Sequence, residues 1–158
     1  MDTMIVIEAV DTGCWNAVAG GRQIVTVEEC AEELRRGDPS MRGYVPVREQ
    51  DIARATVRTL SSAADVTFRL QYPDAHRLDA GERDLLALAY MLADGFILCS
   101  CDKAAVTAAH ALGWLDRVVS LEALATSVGV RPRRPLRRQY TIRQLEAWRT
   151  SLLPDAGP

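Results

Sequence analysis

The sequence predicts an α/β fold with a parallel sheet whose strands alternate with helices. Short apolar or β-branched runs are followed by longer segments of helical periodicity, and this order recurs along the chain. The run Phe96-Ile97-Leu98-Cys99 is apolar without alternation, which is typical of a parallel strand buried on both faces. At 158 residues the chain has the length of a single domain with a sizeable core.

Three elements are predicted between residues 22 and 66. The β-branched run Ile24-Val25-Thr26-Val27 predicts a strand, and the helix-forming residues after it predict a helix that ends at Gly37. Residues 49 to 66 have the apolar spacing of a second helix. Its packed face would carry Ile52, Ala55, Val57, Leu60 and Ala63.

The second half of the chain repeats the alternation. A helix is predicted from residue 81 to about residue 95, and the apolar strand after it extends to Asp102. Residues 104 to 113 predict the next helix. A further strand is predicted over residues 118 to 121, with a capped helix over about 120 to 129.

The composition changes after residue 130. Proline and arginine alternate from 130 to 139, where no regular helix is expected because proline lacks the backbone N–H. Thr141, with Gln144 three residues on, then predicts a capped final helix. We expect residues 1 to 130 to form the main domain, and residues 131 to 158 to pack on it as an Arg/Pro-rich segment with a C-terminal helix.

Charge and hydropathy argue against two classes of partner for the chain as a whole. Lys and Arg total 19 against 21 for Asp and Glu, so the formal charge of -2 gives no general attraction to nucleic acid or membrane. No stretch approaches the roughly 20 apolar residues of a membrane span, and the start lacks a basic leader region. We therefore expect a cytoplasmic protein without a membrane partner. Five arginines nevertheless crowd one short stretch: Arg131, Arg133, Arg134, Arg137 and Arg138.

The cysteines and histidines do not predict a zinc site. The cysteines lack paired C-x-x-C spacing and are too few for a disulfide scaffold, so we expect them to be reduced and to pack as small apolar side chains. His76 and His110 have no partner at metal-ligand spacing. The cysteines are Cys14, Cys30, Cys99 and Cys101.

Several acidic residues fall beyond the carboxyl ends of predicted strands, where parallel α/β folds bind ligands. Asp102 lies just past the strand at 96–99, and Glu82 lies in the first turn of the preceding helix. Clustered carboxylates repel each other unless a cation neutralises them, and Mg²⁺ and Mn²⁺ prefer oxygen ligands. A hard divalent metal is therefore expected. Three more acids lie on the helix after residue 27: Glu29, Glu32 and Glu33.

Four segments carry a family resemblance through their order and spacing. They are Asp2-Thr3, "VTVEECAEEL" at 25–34, "LDAGERDLLALA" at 78–89 and "SCDKAA" at 100–105. With them the chain resembles, over about residues 2 to 129, the PIN-domain family of small α/β nucleases found in bacterial toxin–antitoxin systems. The resemblance implies a three-layer α/β/α fold with a parallel central sheet.

The resemblance also implies a set of site residues. In the family an Asp-Thr pair ends the first strand, a Glu lies on the helix after the second strand, an acid begins a later helix, and a Ser/Thr-x-Asp closes the strand after that helix. The matching residues here are Asp2, Glu33, Glu82 and Asp102, with Ser100 in support to position a water or a metal ligand.

Two of these placements stay open. Asp84 lies at the start of the same helix as Glu82, and its distance to Asp102 along the chain also fits the family, so either acid can be the ligand. Glu29 or Glu32 can likewise take the place of Glu33.

The activity implied by the resemblance is metal-dependent hydrolysis of RNA. Asp2, Glu33, Glu82 or Asp84, and Asp102 would hold one or two Mg²⁺ or Mn²⁺ ions that activate a water and stabilise the charged transition state. The arginines between residues 131 and 138 would bind RNA phosphates. An antitoxin protein and a homodimer are the other partners that the family suggests.

Two other functions are compatible with the sequence. The first is a PIN-like module without activity that binds RNA or protein, which gains weight if the strand that should hold Asp2 is missing. The second is a nucleotide-binding α/β enzyme, which is disfavoured because neither G-x-G-x-x-G nor G-x-x-x-x-G-K-[ST] occurs.

The amino terminus can be placed in two ways. In one, residues 4 to 10 are a strand that ends at the pair Asp11-Thr12; in the other, Asp2-Thr3 is the pair and residues 4 to 21 are a helix of about four turns. The first placement leaves only residues 13 to 19 for a crossover that usually needs ten or more. We prefer the second, which implies a first strand truncated ahead of Asp2 and a natural start upstream by roughly five residues.

Overall fold

The structure, a computed structural model, describes residues 1 to 153. Within these residues the chain forms nine α-helices and four short strands. The helices are α1 (Thr3–Asp11), α2 (Trp15–Gly21), α3 (Glu28–Arg35), α4 (Glu49–Ile52), α5 (Ser62–Gln71), α6 (Ala80–Leu92), α7 (Lys103–Ala111), α8 (Leu121–Ser127) and α9 (Ile142–Leu152). The strands are β1 (Val25–Val27), β2 (Thr56–Arg58), β3 (Leu98–Cys99) and β4 (Val118–Val119).

The strands form two separate parallel pairs. Strand β1 lies beside β2 with Val25 opposite Thr56, and β3 lies beside β4 with Leu98 opposite Val118. The chain is therefore mixed α/β with small parallel sheets, as the alternation of strands and helices predicts. A single central sheet between two helical layers is not confirmed, because no ladder joins the two pairs within the described residues.

Two apolar clusters form most of the core, and a small third cluster connects them. The first cluster surrounds α1 and α2; its largest fully buried side chains are Tyr140, Ile5, Leu121, Val6 and Val18. The second lies between α5, α6, α7 and α9; its largest are Phe68, Leu86, Val106 and Val118. The third joins β1 and α3 to α6 through Val27, Cys30 and Leu85.

The segment 49–66 is not the single helix that its apolar spacing predicts. It divides into α4, β2 and the start of α5. The reason is pairing with β1: the backbone N–H of Thr56 donates to the carbonyl of Ile24 at 2.8 Å, and the β-branched residues Thr56 and Val57 lie opposite β1. Ser61 then begins α5, its hydroxyl accepting the N–H of Ala64 at 3.2 Å. Tertiary pairing outweighs the local helical period here.

The amino terminus follows the preferred placement in part. Helix α1 begins at Thr3, so a strand over residues 4 to 10 is wrong. A continuous helix to residue 21 is also wrong, because α1 ends before Gly13, whose φ of +74° is unfavourable for other residues, and α2 begins at Trp15.

Met1 lies beside β1. Its ammonium donates to the carbonyl of Val25 at 2.7 Å, and its carbonyl accepts the hydroxyl of Thr26 at 2.8 Å. Within residues 1 to 153 no strand precedes α1, and the truncated first strand stays a prediction.

The later elements agree with the sequence in type, although β3 and β4 are shorter than expected. Strand β3 ends at Cys99 rather than continuing to Asp102. Helix α9 is capped by Thr141, whose hydroxyl accepts the N–H of Gln144 at 3.3 Å, and it packs on α7 and α8. Helix α9 of the predicted C-terminal segment therefore contacts the preceding helices. Residues 154 to 158 of that segment lie outside the described residues.

The cysteines pack as expected for small apolar side chains. Cys14, Cys30 and Cys99 are buried free thiols, and Cys101 is partly exposed.

No helix in the part of the chain that the structure describes combines the length and the apolar character needed to cross a bilayer.

Candidate active site

Five carboxylates from four segments of the chain lie near each other, and we call them the carboxylate cluster. Asp2 precedes α1, Glu33 lies on α3, Asp79 and Glu82 lie at the start of α6, and Asp102 precedes α7. The charge of Asp79 acts on Asp2, Glu33 and Glu82, and the charges of Asp102 and Asp2 act on Glu82. The four acids that the family pattern indicated are therefore linked through their charges, with Asp79 as a fifth member, and their joint role as metal ligands stays a prediction.

Three members of the carboxylate cluster are fixed as helix caps. One carboxylate oxygen of Asp2 accepts the N–H of Met4 at 3.2 Å, and one of Asp79 accepts the N–H of Glu82 at 2.7 Å. Asp102 accepts the N–H of Ala104 at 2.6 Å in the same way. Three helices therefore begin at the site, and their amino-terminal dipoles partly offset the negative charge gathered there.

Glu33 is positioned by a hydroxyl and a glycine. The Thr3 hydroxyl, which is buried, donates to Oε2 of Glu33 at 2.5 Å. A Cβ added at Gly81 would lie 3.4 Å from Oε1 of Glu33 and 3.0 Å from the sulfur of Cys30. Gly81 therefore allows the start of α6 to approach α3 closely, and the charge of Asp79 in that start acts on Glu33.

Ser100 acts on the backbone that carries Asp102. It is buried, and its hydroxyl oxygen accepts the N–H of Asp102 at 3.2 Å. This contact shapes the turn from β3 into α7. Within the described structure, its visible role is to orient Asp102, and a contact with water or a metal ligand stays a prediction.

Burial and mutual repulsion raise the affinity of the carboxylate cluster for protons. Burial above all, together with the charges of Asp102 and Asp79, raises the pKa of Glu82 to about 8. Burial is also the largest cause that raises the pKa of Asp2 and of Glu33. Hydrogen bonds from the Met4 N–H and the Thr3 hydroxyl oppose these two shifts. A bound cation would relieve the same repulsion.

The chemistry of the carboxylate cluster fits a hard divalent cation, whereas its side-chain positions do not converge on one. The carboxylate oxygens are donors that Mg²⁺ and Mn²⁺ prefer. Among residues 1 to 153, however, no three His, Cys, Asp or Glu side chains lie close enough to share a metal ion. One oxygen of each capping aspartate is engaged by the backbone, so ion binding would use the other oxygens and some side-chain rotation.

The alternative ligands that the sequence left open, Asp84 in place of Glu82 and Glu29 or Glu32 in place of Glu33, have different surroundings. Asp84 lies 3.6 Å from the guanidinium of Arg83, and its other charged neighbours are Asp65, Glu29 and Arg69. Glu32 pairs with Arg36 on the exposed side of α3. The charge of Glu29 acts on both Glu33 and Asp84, so its place in the site stays open, whereas the charge of Asp2 acts on Glu33 and Glu82.

Three residues have roles in this site that the sequence did not predict. Asp79 forms a reciprocal capping pair with Glu82, and the D-x-x-E spacing at 79 to 82 is a signal from which it was predictable. Thr3 was named only as the neighbour of Asp2. The thiol of Cys101, which lies 3.7 Å from Oδ2 of Asp2 and donates to it, has no sequence signal.

Two arginines of the predicted RNA-binding stretch pair with acids of α1. Arg137 binds the buried carboxylate of Glu8, with its Nε at 2.6 Å, and Arg134 binds Asp11 at 2.9 Å. Arg138 donates from Nε to the side-chain oxygen of Gln144 at 2.6 Å. No ion pair involves Arg131, Arg133 or Arg138 in the part of the chain described. Their role in RNA binding stays a prediction.

Comparisons with protein-family models, with curated proteins and with solved structures gave no match to this chain. Its function is therefore inferred from the residues and their arrangement.

Proposed function

We propose that this chain is a metal-dependent endoribonuclease with a PIN-like site. The observation that carries the proposal is that Asp2, Glu33, Glu82 and Asp102, in the order that the PIN-domain resemblance implies, are linked by charge effects, directly or through Asp79. Burial and repulsion within the carboxylate cluster support the same proposal, because a site of this charge is stabilised by a cation.

In the proposed reaction each residue has a separate task. Mg²⁺ or Mn²⁺, when bound, would supply an activated water and positive charge for the phosphodiester transition state. Asp2, Glu82 and Asp102 would hold it through carboxylate oxygens, with Glu33 in support through the hydrogen bond from Thr3. Asp79 adds negative potential and fixes Glu82 through the capping pair.

Substrate binding by the arginine stretch belongs to the same proposal. Arg131, Arg133 and Arg138 are the members that make no ion pair within residues 1 to 153, so they are the ones we assign to phosphate binding. For each of these arginines that is removed, the salt dependence of single-stranded RNA binding should decrease by about 0.7 in the logarithmic slope. An unchanged slope in the triple alanine variant would contradict this assignment.

The three-layer α/β/α arrangement is also part of the proposal. It is supported by two features: both strand pairs are parallel, and Met1 lies beside β1, on which an additional strand can pair. An antitoxin protein and a homodimer are proposed as partners from the family resemblance alone. Light scattering of the purified protein tests the dimer.

Cleavage of labelled RNA by the purified protein with Mn²⁺ tests the proposal. The wild type should cleave the RNA, EDTA should stop cleavage, and Asp102→Asn should abolish it while the variant stays folded by circular dichroism. Asp116→Asn is a matched control, since Asp116 is exposed and remote from the carboxylate cluster. Equal cleavage by Asp102→Asn and the wild type would overturn the proposal.

The second candidate is a PIN-like module that binds RNA or protein without cleaving it. The observation that favours it is that no three ligating side chains in the described residues are within reach of one ion. Isothermal titration with Mn²⁺ separates the candidates. Binding that is lost in Asp102→Asn supports the nuclease, whereas RNA binding without any metal binding supports the module.

A further inference from the structure

A small cleft opens beside the carboxylate cluster. It has a volume of about 130 Å³ and lies between α1, α3 and the loop that follows α3. Its walls are mostly apolar, and Glu33, a member of the carboxylate cluster, lies on one of them. The lining includes Met4, Ile7, Leu34 and Tyr44, with Arg137 at one side. A group bound in this cleft would therefore lie next to the proposed catalytic site.

Two turns hold the aromatic ring that lines the cleft. The carboxylate of Asp38 accepts the N–H of Ser40 at 2.8 Å, and the N–H of Tyr44 donates to the carbonyl of Met41 at 3.1 Å. The ring lies directly over Gly37, where an added Cβ would be 2.8 Å from Cε2 of Tyr44. With 38% of the residue exposed, Tyr44 is placed by the backbone yet accessible from solvent.

The same turn carries a cation. Arg42 is exposed, and no acidic side chain lies within ion-pair distance of it in the described part of the chain. Proteins that bind single-stranded nucleic acid combine exposed aromatic rings, on which bases stack, with cations that contact the phosphates. The charge and the ring together favour a nucleotide over an apolar peptide side chain as the occupant.

We propose that the cleft binds one base of a single-stranded RNA, stacked on Tyr44, with Arg42 on a neighbouring phosphate. The cleft is smaller than the about 300 to 1,000 Å³ typical of sites for drug-sized ligands, so it takes one ring system rather than a folded segment. Because Glu33 lines the cleft and belongs to the carboxylate cluster, a strand held in the cleft would pass beside that cluster. The inference rests on the proposed function for RNA as the substrate.

Fluorescence anisotropy with a short labelled RNA in EDTA, which prevents metal-dependent cleavage, tests the stacking contact. Tyr44→Ala should weaken binding by about fivefold to a hundredfold, the effect expected for one stacked base, and Tyr44→Phe should stay within about twofold of wild type. Leu70→Ala is the control for removal of an exposed apolar side chain, since Leu70 is 79% exposed on α5. Thermal unfolding confirms that each variant is folded.

A scan with single abasic positions shows that a base is the group bound. One abasic position should weaken wild-type binding by the same factor as Tyr44→Ala, and this difference should vanish in Tyr44→Ala, because the two changes remove the same stacking interaction. Arg42→Ala should lower the logarithmic salt slope by about 0.7, whereas Arg54→Ala, another exposed arginine, should leave it unchanged.

The outcomes separate this inference from the proposed function. If wild type cleaves RNA but Tyr44→Ala binds it equally well, the base-binding cleft is overturned and the nuclease stands. If Tyr44 and one base are coupled but no cleavage occurs with Mn²⁺, the cleft stands and the nuclease is overturned. If wild type neither binds RNA in EDTA nor cleaves it with Mn²⁺, both are overturned.

Discussion

The buried carboxylate of Glu8 forms an ion pair with Arg137, which lies 129 residues away in the chain. The Glu8 carboxylate, only 1% exposed, accepts the backbone N–H of Arg137 at 2.8 Å and its Nε at 2.6 Å. The guanidinium also lies 5.2 Å from the ring centre of the buried Tyr140. The arginine-rich segment is thereby tied to α1, the helix that begins at the carboxylate cluster.

Arg137→Ala should destabilise the fold strongly because it leaves Glu8 buried without a cation. We expect the free energy of unfolding in urea to fall by about 3 kcal/mol, the lower end of the range for a broken buried pair, since the guanidinium is half exposed. Arg134→Ala removes the exposed pair with Asp11 and should cost under about 1 kcal/mol. Equal destabilisation of the two variants would contradict the special role of Glu8.

The stability of the metal-free protein should fall as pH rises because of Glu82. Its pKa is about 8 in the folded chain against 4.5 for an ordinary glutamate, so the folded state holds the proton more tightly. The resulting stabilisation is complete below about pH 4.5 and is lost as pH rises through about 8. Glu82→Gln, which keeps the shape without the charge, should gain up to about 5 kcal/mol over wild type as pH rises between these limits.

Urea unfolding in EDTA at several pH values measures this effect of Glu82. Asp116→Asn serves as the control and should run parallel to wild type. A constant difference between Glu82→Gln and wild type from pH 5 to 9 would show that Glu82 does not titrate in this window.

Two glycine substitutions in helices should have opposite effects. Gly20→Ala adds a Cβ into open space on α2 and should stabilise the protein by up to about 1 kcal/mol through helix propensity. Gly81→Ala places its Cβ 3.0 Å from the sulfur of Cys30 and 3.4 Å from Glu33, and should destabilise by about 1 to 3 kcal/mol. Thermal unfolding compares the two. A stabilised Gly81→Ala protein would mean that α3 and α6 separate at little cost.

Gly37→Ala should alter the base-binding cleft without unfolding the protein. The new Cβ displaces the ring of Tyr44, the far end of a side chain that can move, so the unfolding free energy should change by less than about 1 kcal/mol. RNA affinity measured by anisotropy should nevertheless fall. In the Tyr44→Ala background the same substitution should have no further effect on affinity, and an independent decrease there would argue for a different cause.

Local signals in the sequence predicted most elements around the site. The helix-forming run after residue 27 corresponds to α3, and the D-x-x-E spacing marks the start of α6 even though only Glu82 was singled out. Ser120 and Thr141 cap α8 and α9 as their residue types indicated. Such signals succeed because a cap or a helical stripe acts within a few residues.

Pairing between distant segments was not predictable in the same way. Residues 49 to 66 have helical spacing, yet Thr56 and Val57 pair with β1, which lies about thirty residues earlier in the chain. Arg134 and Arg137 lie in a stretch whose composition predicted solvated, RNA-binding arginines. Only the tertiary structure shows that α1 supplies acidic partners for both.

By itself the sequence determined the alternation of helices and strands, the capped helix starts, and a set of acids whose order resembles a nuclease site. Only the tertiary structure shows the surroundings of each acid: Glu33 accepts the Thr3 hydroxyl whereas Glu32 pairs with Arg36, and Glu82 pairs with Asp79 whereas Asp84 lies beside Arg83. These surroundings depend on how closely the helices pack. At Gly81 the absence of a side chain allows α6 to lie close to Glu33 on α3.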